Sequence, residues 1–365
     1  VRQIEYLRKL HSDYVAGIIY LSILMRQLTD ELIFYKEIFM NSSLYLELSK
    51  EELRKLISET LNTDINSAKL LTGGLFNTTY YIDTMKYGSV VLRVGPVNRH
   101  LLLPFEHSLM QAEQLVYKLC REAQVPVSEI LFMDTSKRII DCDYMIVRYI
   151  PSVPMNEAVL CSDNNSQICR DIGAATAKMH SITHSHFGRI VDVENGKGFS
   201  KWSDCLLHEL NQWERLSKST SLFSDAEYIK IRRTFENSIP FLDKIQTPSL
   251  VHTDLWKGNV LICFNSDIPE FAAIIDADRA MWGDPDVEFS SINWTHSEPT
   301  FWEGYGKALK QDFGSRIRRT IYTLLWSLLD AYVYLQEYNQ PENANERKIK
   351  ALHQIDILST LLHIK

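Results

Sequence analysis

The stretch that decides the fold is residues 251–262, which read VHTDLWKGNVLI. It carries a carboxylate, Asp254, and an amide, Asn259, five residues later. A second carboxylate, Asp276, follows at the end of an apolar run. A loop carboxylate can accept a proton, and an amide and a carboxylate can together ligate a hard cation. The spacing predicts one small site with the parts that phosphoryl transfer from a nucleotide needs, since its catalysis is mostly positioning and charge neutralisation.

The same residues allow a simpler interpretation, a hairpin built with the turn-forming residues Asp, Gly and Asn. That interpretation predicts neither the apolar run that ends in Asp276 nor the Gly283-Asp284-Pro285 that follows it. We therefore favour the metal-and-base interpretation. Asp278 is a further candidate for metal or substrate binding, whereas Asp284 is expected to anchor its loop.

Composition indicates an ordinary soluble globular protein, with 45% apolar and 23% charged residues in a chain of 365. The net charge of -7 argues against nucleic acid as a partner. The six cysteines form no C-x-x-C pair, which favours reduced thiols and a cytoplasmic location. The start lacks a secretory pattern, and its most apolar window, residues 14–25, is about half the length that spans a bilayer. We therefore expect no membrane partner.

Three regions are predicted, at residues 1–60, 61–150 and 151–365. The first is a helical extension, because apolar residues recur there at spacings of three and four. Ser49 is predicted to cap a helix whose first turn is acidic. Met40 begins a segment that resembles a protein start, so residues 1–39 are interpreted as an appended helical hairpin.

The second region is predicted to be a small lobe of five strands and one helix. The strands are placed at or near 69–71, 77–82, 89–94, 130–133 and 144–149, and the helix at 106–123. The third region is predicted to be mainly helical, with helices over 168–181, 201–218, 225–242, 317–338 and 345–363. Two short apolar runs within 251–278 are the exception and predict a strand pair.

Several other site types are disfavoured because their motifs are absent. The chain has no G-x-x-x-x-G-K-[ST], no H-E-x-x-H and no G-x-S-x-G, which disfavours a P-loop kinase, a zinc protease of that class and an α/β hydrolase. His180, His184 and His186 lie close together in the sequence, but they are predicted to form a polar helix end rather than a metal site.

The pattern His252-x-Asp254-x-x-x-x-Asn259, followed by Ile275-Asp276 and Gly283-Asp284-Pro285, resembles the aminoglycoside phosphotransferase and choline kinase-like family. The resemblance covers roughly residues 66–340. It implies an α+β, protein-kinase-like fold of two lobes. The N-lobe would be a small antiparallel β-sheet with one helix, and the C-lobe would be larger and mainly helical. It also implies ATP and Mg²⁺ as cofactors and a hydroxyl group of a small molecule as acceptor.

The resemblance assigns roles to the residues of the decisive stretch. Asp254 would be the catalytic base, which accepts or orients the proton of the substrate hydroxyl. Asn259 and Asp276 would hold Mg²⁺, for which oxygen ligands are suited. His252 is expected to hold the loop by hydrogen bonding rather than to take part in the chemistry.

The same resemblance implies a nucleotide-binding half in the second region. Gly73 and Gly74 form a turn where backbone N–H groups can approach phosphates, and Asn77 lies in the same loop. Arg93 stands where protein kinases have lysine, and its planar fork can grip phosphates. Glu113 would be its ion-pair partner. The alternatives for these residues are a simple turn, an arginine that reaches solvent and a solvated helix face.

Two backbone positions complete the implied nucleotide site, and the acceptor stays open. Groups at Val147 and Tyr149 would meet the adenine edge. The acceptor is interpreted as an aminoglycoside-type antibiotic, or an amino-sugar or amino-alcohol metabolite, and an acidic helical lobe would suit a cationic acceptor. Glu298 and Glu303 follow the catalytic segment, but a helix-surface role is favoured for both. Residues 256–258, Trp-Lys-Gly, resemble fructosamine and related sugar kinases, so a sugar hydroxyl is the nearest alternative.

A second class of function also remains, a nucleotide-binding pseudokinase with a regulatory role. Arg93 in place of lysine and the N-terminal extension motivate it. A protein-serine kinase is disfavoured, because no D-F-G, A-P-E or activation segment follows Asp276. The hydroxyl that is attacked, the choice between ATP and GTP, and the oligomeric state are left open.

Overall fold

The structure is a computed structural model that describes residues 42–71, 74–291 and 293–363. The helical hairpin predicted for residues 1–39 lies outside these ranges. The described part of the N-terminal region contains α1 (Lys50–Leu61). Ser49 caps it as predicted, because its side chain accepts the N–H of Glu52, whose carboxylate returns to the N–H of Ser49.

The N-lobe is the predicted antiparallel sheet of five strands, packed with α1 and a second helix. The strands pair in the order β1-β2-β3-β5-β4. Their bounds are β1 (Ile65–Leu71), β2 (Thr78–Thr84), β3 (Gly88–Val94), β4 (Ile130–Asp134) and β5 (Tyr144–Arg148), and the second helix is α2 (Leu109–Glu122). The helix predicted over 106–123 begins later, because Pro104–Ser108 forms a 3-10 turn in which the side chain of Glu106 accepts the N–H of Leu103.

Because side chains alternate along β3, Arg93 points away from the core that the buried residues of this strand form. Val90, Leu92 and Val94 are fully buried in the core shared with α1. Successive strand residues point to opposite faces, so Arg93 lies on the other face of the sheet. That face is the one covered by α2.

The C-lobe is mainly helical, as predicted. Its helices are α3 (Ser162–Ser181), α4 (Ile190–Glu194), α5 (Trp202–Ser217), α6 (Asp225–Leu242), α7 (Glu288–Ser291), α8 (Pro299–Tyr305), α9 (Phe313–Gln336) and α10 (Pro341–Leu362). Backbones of α3 and α8 touch where they cross, since a Cβ atom at Gly173 or Gly304 would overlap the opposite helix. This close approach brings the C-terminal end of α3 to the end of α8.

Two small sheets carry the decisive stretch. One contains β6 (Val153–Pro154), β9 (Val260–Asn265) and β10 (Ile268–Ile274), and the other β7 (Gly188–Arg189), β8 (Ser249–Val251) and β11 (Met281–Gly283). The antiparallel β9–β10 pair confirms the predicted strand pair. Below it, the N–H of Ile275 donates to the carbonyl oxygen of Asn259 at 3.0 Å. The pairing therefore places the residues after β8 beside those after β10.

The segment between β3 and α2 joins the two lobes. Leu102 and Leu103 are buried in the core formed mainly by α5, α6, α9 and α10. The hydroxyl of Tyr332 donates to the carbonyl oxygen of Leu101 at 2.8 Å. Among the residues described, no helix is both long enough and apolar enough to cross a membrane.

Candidate active site

The loop of residues 252–259, which joins β8 to β9, closes on itself. Thr253 has a φ of +71°, and a 3-10 turn covers Lys257–Asn259. The side-chain amide of Asn259 donates to the main-chain oxygen of Asp254 at 2.8 Å and to its carboxylate Oδ2 at 3.1 Å. The five-residue spacing therefore brings the predicted base and the predicted metal ligand into direct contact.

His252 holds this loop by hydrogen bonds, as predicted. The N–H of Asp254 donates to its Nδ1 at 3.2 Å, and its Nε2 lies 3.0 Å from the carbonyl oxygen of Ile275. Since Nδ1 accepts, Nε2 carries the proton, and the ring is the neutral Nε2–H tautomer. The fully buried ring ties the loop to the residue before Asp276.

A buried acid supports the same loop from below. Glu288 is fully buried, and its Oε2 accepts the N–H of His252 at 2.7 Å and that of Thr253 at 3.3 Å. Burial alone would raise the pKa of this carboxyl, but the adjacent rings of His180 and His252 and the hydrogen bond from the His252 amide hold the pKa below its usual range. A charged acceptor in a dry site makes strong hydrogen bonds, so Glu288 fixes the start of the loop.

The prediction of a polar helix end was wrong for His180, which is buried. Its Nδ1 lies 2.9 Å from the hydroxyl of Tyr305, and its Nε2 lies 3.6 Å from Oε2 of Glu288. The close crossing of α3 and α8 places this helix end inside the lobe, which a local pattern could not indicate. His186 is exposed as predicted, and His184 stacks on Trp282.

The Asp254 carboxyl has the electrostatics of a base that works near neutral pH. Burial raises its pKa to about 6, and the neighbouring His252 partly opposes this rise. The charges of Asp276 and Asp330 raise the pKa further, while Arg279 lowers it. A proton acceptor is most effective when its pKa lies near the operating pH.

The N-lobe half of the site centres on Arg93 of β3. Its guanidinium forms ion pairs with Glu113 of α2 and Asp276, and lies 3.4 Å from Asp278. The pair with Glu113 is the one predicted from the sequence. Burial raises the pKa of Glu113, and Arg93 opposes that rise. The alternatives of a solvated strand arginine and a solvated helix face are therefore excluded.

Acidic groups exceed basic ones at this point, which fits a divalent cation. Glu113, Asp276 and Asp278 each offer an oxygen, and these atoms lie within 4.8 Å of one another. Arg93 contacts all three. Burial and the charge of Asp276 raise the pKa of Asp278 well above its usual range, as expected for a carboxylate without enough positive charge nearby. The side-chain oxygen of Asn259 accepts no hydrogen bond from a described residue.

Residues 74–77 are the described part of the turn between β1 and β2. Gly73 is among the residues not described. Gly74 is exposed, and a Cβ atom there would lie 3.3 Å from the carbonyl oxygen of Asn77. Asn77 is half-buried and directly precedes β2. A phosphate-binding role for these three residues stays a prediction.

At the predicted adenine edge, two backbone donors are already used. The N–H of Arg148 donates to Glu129 at 2.8 Å, and the N–H of Tyr149 donates to Ser89 at 3.2 Å. Val147 pairs with strands on both sides of β5. A nucleobase contact at Val147 and Tyr149 therefore has to use other backbone groups, such as the carbonyl oxygen of Tyr149, and it stays a prediction.

Asp284 anchors its loop, as predicted. Its Oδ1 accepts the N–H of Asp286 at 3.1 Å. Its Oδ2 accepts from Nε of Arg318 at 2.9 Å and from the hydroxyl of Tyr322 at 2.8 Å. All of its contacts lie inside the C-lobe, away from the Arg93 cluster.

Further residues near the base were not identified from the sequence. The indole of Trp256 is 47% exposed and lies on Gly258, where a Cβ atom would overlap the ring. Asp330 of α9 influences the pKa of Asp254 and lies 3.8 Å from Arg347 of the neighbouring helix α10. Glu303 instead pairs with Arg170 at the surface, as favoured from the sequence. Only the exposed aromatic residue had a local signal, the run of residues 256–258.

This chain is similar to known phosphotransferases and kinases. The sequence model of the family described as "Phosphotransferase enzyme family" matches residues 67–323. A "Probable ketoamine kinase" of Vibrio cholerae serotype O1 is 25% identical over 236 residues, which cover 61% of this chain and 72% of that protein. The chloroplastic protein-ribulosamine 3-kinase of Oryza sativa subsp. indica is 27% identical over 177 residues, which cover 46% of this chain and 48% of that protein.

A solved structure shares the fold at low sequence identity. The streptomycin–ATP ternary complex of APH(2")-IIa superimposes with a TM-score of 0.59 and 16% identity, over 87% of this chain and 99% of that one. The protein-kinase-like two-lobe fold that the sequence predicted is therefore confirmed.

Proposed function

Because the chain belongs to the phosphotransferase enzyme family, we propose that it transfers the γ-phosphoryl group of ATP to a hydroxyl group of a small molecule. The observation that carries the proposal is the position of Arg93. From a strand of the N-lobe it reaches both Glu113 and Asp276, so the two halves predicted separately meet in one cluster. Its planar fork would grip the phosphates of a nucleotide between the lobes.

In this reaction Asp254 acts as the base. The acceptor hydroxyl would donate a hydrogen bond to its carboxylate, which takes the proton as the phosphorus–oxygen bond forms. The bond between the γ-phosphorus and the bridging oxygen breaks, and ADP leaves. Asn259 holds the Asp254 carboxylate through its side-chain amide, and His252 and Glu288 hold the loop beneath. Near-neutral pKa and fixed orientation are both properties of an effective base.

Asn259, Asp276 and Asp278 are the residues that would hold Mg²⁺. They offer one amide oxygen and two carboxylates, and Asp278 carries the raised pKa of an acid short of positive charge. Bound Mg²⁺ would neutralise the negative charge of the nucleotide phosphates. The excess of carboxylates over guanidinium groups around Arg93 supports this assignment.

For the acceptor, we propose a ketoamine or amino sugar, that is, a sugar hydroxyl close to an amine. The relatives named as ketoamine and ribulosamine kinases support this choice over an antibiotic. Trp256 presents an exposed ring beside Asp254, and such rings pack against the faces of sugars. Asp330, whose side chain is 46% exposed, lies close enough to raise the pKa of Asp254 and would attract the acceptor amine.

The test is an acceptor panel with ADP release as the measurement. It compares a fructosyl-lysine, a ribulosyl-lysine, kanamycin and choline, each with MgATP, using the wild type and Asp254→Asn. Turnover with a ketoamine that Asp254→Asn abolishes supports the proposal. Turnover with kanamycin alone would assign an antibiotic acceptor instead. MgATP binding without turnover of any acceptor would favour the pseudokinase alternative.

A further inference from the structure

The β1–β2 turn does not stand free above the site. Leu75 and Phe76, in this turn, pack against the large core of the C-lobe. The guanidinium of Arg279 lies 5.6 Å from the centroid of the Phe76 ring and 5.7 Å from that of Phe105. Both distances are within the range of a cation–π interaction. One arginine of the C-lobe therefore contacts the predicted phosphate-binding turn.

Arg279 is itself held at both ends. Its Nη2 lies 2.7 Å from Oε1 of Glu106, in the segment between β3 and α2. Its carbonyl oxygen accepts from Oγ1 of Thr253 at 3.0 Å and from Nη1 of Arg189 at 2.9 Å. Thr253 directly precedes the base, Asp254. Arg279 thus connects the 252–259 loop to the β1–β2 turn.

A second carboxyl group completes the arrangement. Glu337, at the end of α9, is fully buried beside Glu106. Neither of its side-chain oxygens receives a hydrogen bond from a described donor. Burial and then the charge of Glu106 raise the pKa of Glu337 well above its usual range. If Glu337 is protonated, its carboxyl can donate a hydrogen bond to the carboxylate of Glu106, and two adjacent negative charges are avoided. The ion pair of Glu106 with Arg279 is then kept.

A parallel set of hydrogen bonds joins Glu337 to the same turn. The N–H of Ser43 donates to the carbonyl oxygen of Glu337 at 2.9 Å. The hydroxyl of Ser42 lies 3.3 Å from the carbonyl oxygen of Leu75. The turn is therefore tied to the end of α9 by both backbone and side-chain routes.

We propose that Arg279 is a positioning residue that holds residues 75–77 in place beside the nucleotide phosphates, and that Glu106 and Glu337 together hold Arg279. The proposal rests on the nucleotide-binding function proposed above. Arg279 reaches the turn through Phe76 and the base loop through Thr253, so it sets the distance between the two sides of the site. Through residues 75–77 Arg279 contributes to nucleotide affinity, whereas its charge separately lowers the pKa of Asp254.

Two measurements on the full chain test this role. The first is amide hydrogen exchange of residues 75–77 without nucleotide. Exchange should be faster in Arg279→Gln than in the wild type. The control is Arg233→Gln, which changes an exposed arginine and should match the wild type. The second is the Kd for MgATP, which rises about tenfold in Arg279→Gln, or about 1.4 kcal/mol. Arg279→Lys recovers part of this loss because the positive charge remains, and Phe76→Leu, which keeps the apolar packing, reproduces it.

The outcomes separate this proposal from the function it rests on. If Arg279→Gln exchanges faster but the wild type does not bind MgATP, Arg279 holds residues 75–77 and the proposed nucleotide function is wrong. The positioning role of Arg279 is overturned if residues 75–77 exchange at the wild-type rate in Arg279→Gln. It is also overturned if this variant binds MgATP as tightly as the wild type or more tightly, even when the wild type is an active kinase.

The shared proton has a test of its own. The titratable groups that face Glu337 are Glu106, Arg279, Tyr332 and Tyr338. A carboxyl whose folded pKa is raised contributes stability that is present below its unfolded pKa and is lost as the pH rises through the folded pKa. Glu337→Gln keeps a donor but does not titrate. Between about pH 6 and about pH 9, the melting temperature of the wild type should therefore fall by more than that of Glu337→Gln. Equal losses would show that no proton is shared.

Discussion

The 252–259 loop and the β1–β2 turn lie on opposite sides of the proposed site, and they are held in different ways. Hydrogen bonds to buried side chains hold the loop, and they come from His252 within it and from Glu288 of α7. The turn is held by ring contacts with Arg279, by the Arg279–Glu106 pair and by one hydrogen bond from Ser42 to Leu75. Directional hydrogen bonds keep a reacting group at one position, whereas the turn depends mainly on packing and charge, which are less directional.

The largest expected effect is on the loop side, at the base itself. Asp254→Asn should lower kcat by about a thousandfold, because general bases typically contribute factors of this order. MgATP binding should be retained, since the Arg93 cluster does not depend on this carboxylate. ADP release and titration calorimetry measure the two. A variant that keeps more than a tenth of the wild-type kcat would remove Asp254 as base.

The next effect concerns the support of the loop. Glu288→Gln removes a charged acceptor from two buried amide groups. It should lower the free energy of unfolding by about 1–3 kcal/mol. Chemical denaturation gives this value, with kcat measured in parallel to detect a displaced base.

Glu303→Gln is the matched control for that substitution. Its ion pair with Arg170 is on the surface, and both side chains are largely exposed. A surface pair contributes at most about 1 kcal/mol, so this variant should differ little from the wild type. If the two glutamate variants lose equal stability, the loop does not depend on Glu288.

A pH profile examines the loop from its electrostatics. Asp254 must be ionised to accept a proton, and burial raises its pKa to about 6. Activity should therefore fall as the pH drops below about 6, with kcat/KM approaching a tenfold loss per pH unit. Asp330→Asn removes a charge that raises this pKa, so its acidic limb should move to lower pH. If the activity of both proteins falls at the same acidic pH, Asp330 does not influence the pKa of Asp254.

The smallest effect is expected at the metal-binding carboxylates. Asp278→Asn should raise the Mg²⁺ concentration for half-saturation by about tenfold, or about 1.4 kcal/mol. The pKa of Asp278 is raised, so its ionised form destabilises the metal-free protein as the pH rises through that value. The variant should consequently melt at a higher temperature without metal near neutral pH. If Asp278→Asn needs more Mg²⁺ but does not melt at a higher temperature without metal, repulsion between the carboxylates does not destabilise the metal-free protein.

The difference between the two sides also explains what the sequence could predict. The Arg93–Glu113 pair is implied by the family resemblance, which short motifs carry, and the five-stranded sheet by the spacing and alternation of its strands; one sequence displays both signals. The burial of His180 depends on the crossing of α3 and α8, and the contact of Arg279 with Phe76 depends on how the lobes close. Such contacts join residues with no sequence pattern in common, so only the folded chain reveals them.

The exposed ring of Trp256 has a practical consequence. Of the seven tryptophans, all within the described ranges, it is the one that is largely accessible to solvent. Indole emission shifts when water around the ring is replaced, so acceptor docking beside Asp254 should change the intrinsic fluorescence before any phosphate moves. In Asp254→Asn this signal would give the affinity of each acceptor at equilibrium, and Trp256→Phe would identify its source.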